Sequence, residues 1–128
     1  MARINYVFCK LSLTTILIVT ICFSLEAQAA ESLEQTIDYL ISHVAHSDAT
    51  FIRNGEAHTG TEASAHIKAK YQHFKDQIKT PEDFIRLSAS KSLLSGKPYL
   101  VRTKAGKETR LDEWLTEALK QHRQGETL

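Results

Sequence analysis

An apolar segment near the N-terminus sets the strongest limit on what this chain can fold into. Residues 11–25 contain only apolar residues, Thr, Ser and Cys22; Arg3 and Lys10 precede them, and Ala27-Gln28-Ala29 follows. A basic start, an apolar core and an A-x-A sequence are typical of a cleavable signal peptide. The apolar run is shorter than the roughly 20 residues that span a bilayer, and no basic stop-transfer cluster follows it. We therefore expect cleavage after Ala29 and no membrane anchor afterwards.

Residues 30–128 would then form one small domain of 99 residues, which is enough for a modest core but not for a second domain. Both cysteines, Cys9 and Cys22, lie in the predicted signal peptide, so packing must stabilise the domain without disulfides. Of 16 basic and 15 acidic residues, 14 of each remain after cleavage. This neutrality argues against a nucleic-acid partner, which would require a strong basic excess.

Periodic apolar residues and capping signals predict about four helices. Ser32 and Gln35 form a capping-box pattern before the first helix, Thr59 and Glu62 before the second, and Thr80-Pro81 begins a third. The predicted extents are 32–47, 59–78, 80–96, and a last helix from Leu111 onward.

Two short hairpins separate these helices. Asn54-Gly55 is typical of a two-residue turn between strands 50–53 and 56–58, because both residues tolerate positive φ. A second hairpin is predicted over 99–110, with its turn at Ala105-Gly106. The order of elements predicts an α+β fold in which the helices pack on a small antiparallel sheet made of the two hairpins.

A serine-rich segment, 88–96, is unusual for the third helix. On an ideal helix Ser88, Lys91, Ser92 and Ser95 would share an arc with Phe84, which should face the core. Either these polar groups find partners, or the helix ends early.

The same segment permits a catalytic alternative, a small serine hydrolase with Ser88 or Ser95 as nucleophile and Lys91 or His66 as base. The spacing Ser88-x-x-Lys91 matches that of penicillin-binding proteins, but their S-D-N and K-T-G companion motifs do not occur in this chain.

The histidines do not predict a metal site. His43 and His46 are three apart, and His66 and His73 flank Lys70, whose charge would repel a cation. Two separate pairs do not supply the three or four converging ligands that zinc needs, and we interpret the histidines as surface residues. No cofactor is predicted.

The first hairpin has a structural and a functional interpretation. Asn54-Gly55 makes the turn, and Arg53 then simply points away from a short strand. Alternatively, the tip presents a guanidinium and an amide that could bind a carboxylate or a glycan.

Several motifs in this order resemble the YfeK-like family of small secreted bacterial proteins, a domain of unknown function. The motifs are Phe51-Ile52-Arg53-Asn54-Gly55, Ala63-x-x-His66-x-x-x-Lys70-Tyr71, Pro81-Glu82-Asp83-Phe84-Ile85, Ser90-Lys91-Ser92-x-x-Ser95-Gly96-Lys97-Pro98-Tyr99 and Trp114-Leu115. The resemblance spans nearly all of residues 30–128. It implies a periplasmic location in a Gram-negative bacterium and no established activity.

The leading functional hypothesis is a non-catalytic binding or interaction module of the cell envelope, whose partner is an envelope protein or a small anionic ligand. A purely structural envelope protein without a ligand is a further possibility. The polar residues that we expect to form the binding surface are Arg53, Asn54, His66, Lys70, Ser90, Ser92, Ser95, Gly96 and Tyr99.

Overall fold

The computed structural model describes residues 30–125, which contain four α-helices, one short 3₁₀ turn and four strands. Along the chain these are α1 (Leu33–Ala45), β1 (Thr50–Arg53), β2 (Glu56–His58), α2 (Gly60–Phe74), the 3₁₀ turn (Lys75–Gln77), α3 (Pro81–Ser88), β3 (Leu100–Arg102), β4 (Glu108–Arg110) and α4 (Leu111–Gly125). The predicted α+β fold, with helices and two short hairpins, is confirmed.

Side-chain caps fix where the first three helices begin. Ser32 and Thr59 each accept a hydrogen bond from the backbone N–H three residues later, and the side chains of Gln35 and Glu62 accept one from the capping residues in return. Thr80 caps α3, with Pro81 at its first position. These bonds satisfy N–H groups that have no partner within the helix, so local chemistry alone sets the three starts.

The two hairpins join into one antiparallel sheet with strand order β2-β1-β3-β4. Asn54 and Gly55 take φ of 52° and 80°, the left-handed region that the two-residue turn requires. This turn pairs Arg53 with Glu56 and places Phe51 opposite His58. On its other edge β1 pairs with β3, where Phe51 lies opposite Val101.

The core lies among the helices and against the sheet. Helix α2 packs on α1, α3 and β1, while α4 packs on α1, α3 and the second hairpin. Gly60 permits the close approach of α2 to α1, because a Cβ there would lie 2.3 Å from the carbonyl oxygen of Val44. The buried apolar side chains are Ile37, Leu40, Val44, Ala49, Phe51, Ile67, Tyr71, Ile78, Phe84, Ile85, Ala89, Tyr99, Val101, Leu111, Leu115, Ala118 and Leu119.

Two predicted helix ends are wrong. Helix α2 stops at Phe74 and tightens into the 3₁₀ turn before Ile78. Helix α3 ends at Ser88 instead of near Gly96, so of the two outcomes left open for the serine-rich segment, the early end is the one observed. The Ser90 hydroxyl donates to the Arg86 carbonyl at 2.6 Å, which gives an α3 carbonyl a side-chain partner beyond the last turn.

The predicted signal peptide, residues 1–29, lies outside the described residues. Within residues 30–125, no helix combines the length and the apolar character that crossing a membrane requires.

Candidate functional site

The tip of the first hairpin, helix α2 and the chain after α3 enclose a cavity of about 420 Å³, which we call the head cavity. Six of the nine predicted site residues border it: Arg53, Asn54, His66, Lys70, Ser92 and Tyr99. Glu56, Leu93 and Leu94 complete its wall. The predicted residues from three separate stretches of sequence therefore largely converge.

Lys70 is the most unusual residue of the head cavity, because it is only 6% exposed and no carboxylate pairs with it among residues 30–125. Its ammonium donates to the Lys91 carbonyl at 2.7 Å and to the Tyr99 hydroxyl at 3.4 Å, and it lies 4.9 Å from the centre of the Tyr99 ring. Burial, with a smaller effect from the nearby charge of Lys91, lowers the pKa of Lys70. A buried cation with neutral partners only is an expensive arrangement in the absence of an anion.

His66 and Tyr99 form a hydrogen-bonded pair at the back of the head cavity. The His66 Nε2 atom lies 3.0 Å from the Tyr99 hydroxyl, and the two rings meet edge to face. Burial, followed by the charges of Arg53, Lys70 and His58, lowers the pKa of His66. Burial also raises the pKa of Tyr99, against a smaller opposite effect of Arg53. Both groups are therefore neutral at pH 7, and the positive charge of the site resides on Arg53 and Lys70.

Arg53 makes no side-chain hydrogen bond and no ion pair within residues 30–125. Glu56 is its cross-strand neighbour and also borders the cavity, but this exposed carboxylate is not within ion-pair distance of the guanidinium. The five N–H donors of Arg53 thus remain available to a ligand.

Hydrogen bonds connect the hairpin tip to the segment 90–99, which we call the 90–99 loop. The Asn54 amide donates to the Ser92 hydroxyl at 3.4 Å, and the Ser95 hydroxyl donates to the Asn54 side-chain oxygen at 2.5 Å. The loop is also closed on itself, because Ser92 N–H donates to the Lys97 carbonyl and Tyr99 N–H to the Ser90 carbonyl, each at 3.0 Å. These hydrogen bonds therefore fix the positions of the loop and the hairpin tip in the wall of the head cavity.

In the middle of that loop, Leu93 and Leu94 are 61% and 98% exposed. These two leucines border the head cavity together with the buried Lys70 and the partly exposed Arg53, so its lining combines apolar and cationic groups. Such a combination is typical of binding surfaces.

Three predicted site residues do not border the head cavity. Ser90 and Gly96 line a separate depression together with residues of α3 and α4, and Ser95 contributes indirectly, through its hydrogen bonds with Asn54 and Ser92. The prediction also missed Glu56, Leu93 and Leu94, which border the head cavity, and His58, which borders a neighbouring one. The turn register could have found His58, because it places His58 opposite Phe51 and hence on the face of the sheet that also carries Arg53.

The geometry around the serines does not favour hydrolysis. Ser88 is fully buried and its hydroxyl has no hydrogen-bond partner, while the Ser95 hydroxyl donates to Asn54. Within the described residues, neither hydroxyl bonds to a histidine or a lysine that could act as its base.

The interpretation of all the histidines as surface residues is wrong for two of them. His43 and His66 are partly buried, and this burial lowers the pKa of both. Residues 30–125 hold no group of three histidine, cysteine or acidic side chains placed to bind a metal ion.

Comparison with known proteins agrees with the motif resemblance. A family model described as a family of unknown function, DUF5329, matches residues 31–123. The uncharacterised protein YfeK of Salmonella typhimurium is 46% identical over 52 residues, which cover 41% of this chain and 43% of that relative. The chain thus spans less than half the length of the relative, and no solved structure matches it. Because the family match covers most of its length, the chain belongs to the DUF5329 family of unknown function.

Proposed function

We propose that this protein is a non-catalytic binding module of the bacterial periplasm, and that its head cavity binds an oxyanion, such as a carboxylate. The anion belongs to a free small molecule or to an envelope protein. The observation that carries the proposal is a pair of cations beside one cavity, Arg53 and Lys70, for which residues 30–125 provide no carboxylate partner.

An anion in the head cavity would supply what these two side chains lack. The guanidinium of Arg53 can donate two parallel hydrogen bonds to a carboxylate, and the Lys70 ammonium has three N–H groups for two protein acceptors. Hydrogen bonds to charged groups contribute about 1.5–3 kcal/mol each. The bound anion would also raise the depressed pKa of Lys70 by compensating its buried charge.

The site is suited to binding and not to turnover. Three of its titratable groups, His66, Lys70 and Tyr99, hydrogen bond to one another or to backbone. Within residues 30–125, neither the Ser92 nor the Ser95 hydroxyl bonds to the side chain of a histidine or a lysine. Asn54, Ser92 and Ser95 hold the hairpin tip against the 90–99 loop, so the cations are positioned before a ligand arrives.

The test is a titration with sodium sulfate and with sodium acetate, followed by the backbone amide NMR signals of the protein. Sodium chloride at matched ionic strength serves as reference. We expect saturable shifts at Asn54, His66 and Ser92. Removing either cation, as Arg53→Gln or Lys70→Gln, should weaken binding at least about tenfold, which corresponds to 1.4 kcal/mol.

Lys107→Gln is the matched control, because Lys107 is exposed on the second hairpin and its loss should leave the affinities unchanged. Shifts that do not saturate, or equal losses in Lys107→Gln and the two site variants, would show only general charge screening and would contradict the proposal.

The proposed location has its own test. Residues 1–29 would direct export, so the protein recovered from the periplasmic fraction should begin at Ala30 on N-terminal sequencing. Recovery of the uncleaved chain from the cytoplasm alone would contradict a periplasmic role.

A further inference from the structure

A second cavity of about 150 Å³, which we call the tail cavity, lies next to the head cavity. Arg53, His66 and Tyr99 border both. Most of the other lining residues of the tail cavity are apolar: Phe51, Ile52, Ala63, Ile67, Leu100 and Leu111. The two cavities are thus neighbours with opposite chemistry.

The hydrogen-bonded pair His66 and Tyr99 is the boundary between them. On one side of this pair lies the Lys70 ammonium, which donates to the Tyr99 hydroxyl. On the other side lie the aliphatic side chains of α2 and the sheet. Because Arg53 also belongs to both linings, a ligand held by its guanidinium can extend into the tail cavity with the hydrogen bond intact.

The charge of the tail cavity determines which end of a ligand it can accept. Its carboxylate, Glu62, is kept ionised because hydrogen bonds from Thr59 lower its pKa. Glu62 lies 3.9 Å from His58 at the opening, where it repels anions. The head cavity sets two cations, Arg53 and Lys70, against the carboxylate of Glu56, whereas the tail cavity has only Arg53 to offset Glu62. An anionic group is therefore favoured in the head cavity over the tail cavity.

One residue of the tail cavity lining has a polar atom that lacks a hydrogen bond. His58 borders the cavity, and its Nε2 atom is buried without a partner among residues 30–125. Buried polar atoms in folded proteins usually have partners, and a void beside one that lacks them is a place for a ligand or a water molecule.

We infer that the ligand is a small organic carboxylate with one compact apolar group of about the size of a phenyl ring. The carboxylate binds Arg53 and Lys70 in the head cavity, and the apolar group fills the tail cavity. A void of about 150 Å³ with aliphatic and aromatic walls is large enough for one benzene ring. The inference rests on the proposed function, because it assigns the substituent of the anion proposed there.

The experiment compares acetate with phenylacetate, which has the same headgroup and an added ring. Burial of the ring should make phenylacetate bind at least about 30-fold more tightly than acetate. Ala63→Leu fills the tail cavity from a partly exposed position on α2, so it should remove this gain while acetate affinity stays unchanged. Ala69→Leu, on the exposed side of the same helix, is the matched control and should retain the gain.

The outcomes separate this inference from the proposed function. If acetate binds and phenylacetate binds no more tightly, the assignment of an apolar group to the tail cavity is overturned while anion binding stands. The same holds if Ala63→Leu still binds phenylacetate more tightly than acetate. If neither sulfate nor acetate binds, the proposed function itself fails. Ala63→Met repeats the test with a flexible side chain should Ala63→Leu not fold, as checked by circular dichroism.

Discussion

Two of the places in residues 30–125 where histidines meet aromatic rings differ in the charges around them. In the first, which we call the α1–α4 cluster, the Tyr39 ring stacks on His122 with centroids 3.8 Å apart, and the His43 ring lies tilted against Trp114 at 4.5 Å. His122 is also 2.8 Å from the Glu31 carboxylate. In the second cluster, at the head cavity, His66 and Tyr99 lie beside cations for which the described residues provide no carboxylate partner.

The comparison shows that residue types alone do not distinguish a structural cluster from a candidate binding site. The α1–α4 cluster joins the two helices and carries an acid next to its histidine, which is sufficient to explain it as packing. The head cavity carries a buried positive charge, on Lys70, whose hydrogen-bond partners are a backbone carbonyl and a hydroxyl group. The absence of a carboxylate paired with Lys70 or Arg53 within residues 30–125, more than any motif, favours a ligand.

The largest expected effect separates the two clusters by stability. Trp114→Ala removes the ring that packs at a tilt against His43 and meets Phe51 edge to face, and it should lower the free energy of unfolding by about 3 kcal/mol. Sulfate affinity should not change. Urea unfolding must be followed by circular dichroism, because Trp114 is the only tryptophan.

Trp114→Phe is the control and should lose less than about 1.5 kcal/mol, since it keeps an aromatic ring there. If Trp114→Ala weakened sulfate binding as much as Lys70→Gln does, the two clusters would be one coupled site.

A smaller effect concerns pH. The folded-state pKa of both His43 and His66 is lower than the unfolded value of about 6.5, so the unfolded chain binds more protons as the pH falls below that value. Their contribution to stability is complete above pH 6.5 and is lost as the pH falls through the folded pKa values. Urea unfolding at several pH values from 7.5 to 5 should show this decline.

Variants assign the decline to each cluster. In His43→Phe the remaining decline belongs to His66, and sulfate should reduce it, because a bound anion raises the pKa of His66. In His66→Gln the remaining decline in stability belongs to His43, and sulfate should not reduce it. If sulfate reduced the decline equally in the two variants, the two clusters would not be distinct.

The smallest expected effect is at Lys70. Lys70→Met removes a buried ammonium that no carboxylate of residues 30–125 compensates, and this gain offsets the loss of its hydrogen bonds. Melting should therefore give a free energy of unfolding within about 1 kcal/mol of the original. A loss above about 3 kcal/mol would mean that Lys70 serves the fold and would remove the main argument for a ligand.

The elements that sequence predicted correctly are those with local causes. Asn54-Gly55 fixes its own hairpin, and Ser32, Thr59 and Thr80 cap their own helices. The end of α3 could not be predicted from local sequence. It depends on the β-bridge between Lys91 and Pro98 and on the hydrogen bond from the Ser90 hydroxyl to the Arg86 carbonyl, which favour a non-helical path after Ser88.

The site was partly predictable for the same reason. His66 and Lys70 are one helical turn apart on α2, and Arg53 and Asn54 are adjacent at the turn, so each pair is local. Their meeting with Tyr99 depends on the pairing of β1 with β3, which joins residues about 50 positions apart in sequence. The tail cavity is a result of packing, and no sequence pattern specifies it.

The closed geometry of the 90–99 loop has an evolutionary consequence. Backbone hydrogen bonds join its two ends, so Leu93 and Leu94 can be replaced by other residues without altering the chain path into β3. If the proposed function holds, selection could therefore change the ligand preference through two exposed positions, while Arg53, the buried Lys70 and the core stay the same. A fold that separates stability from selectivity in this way can serve relatives that meet different molecules.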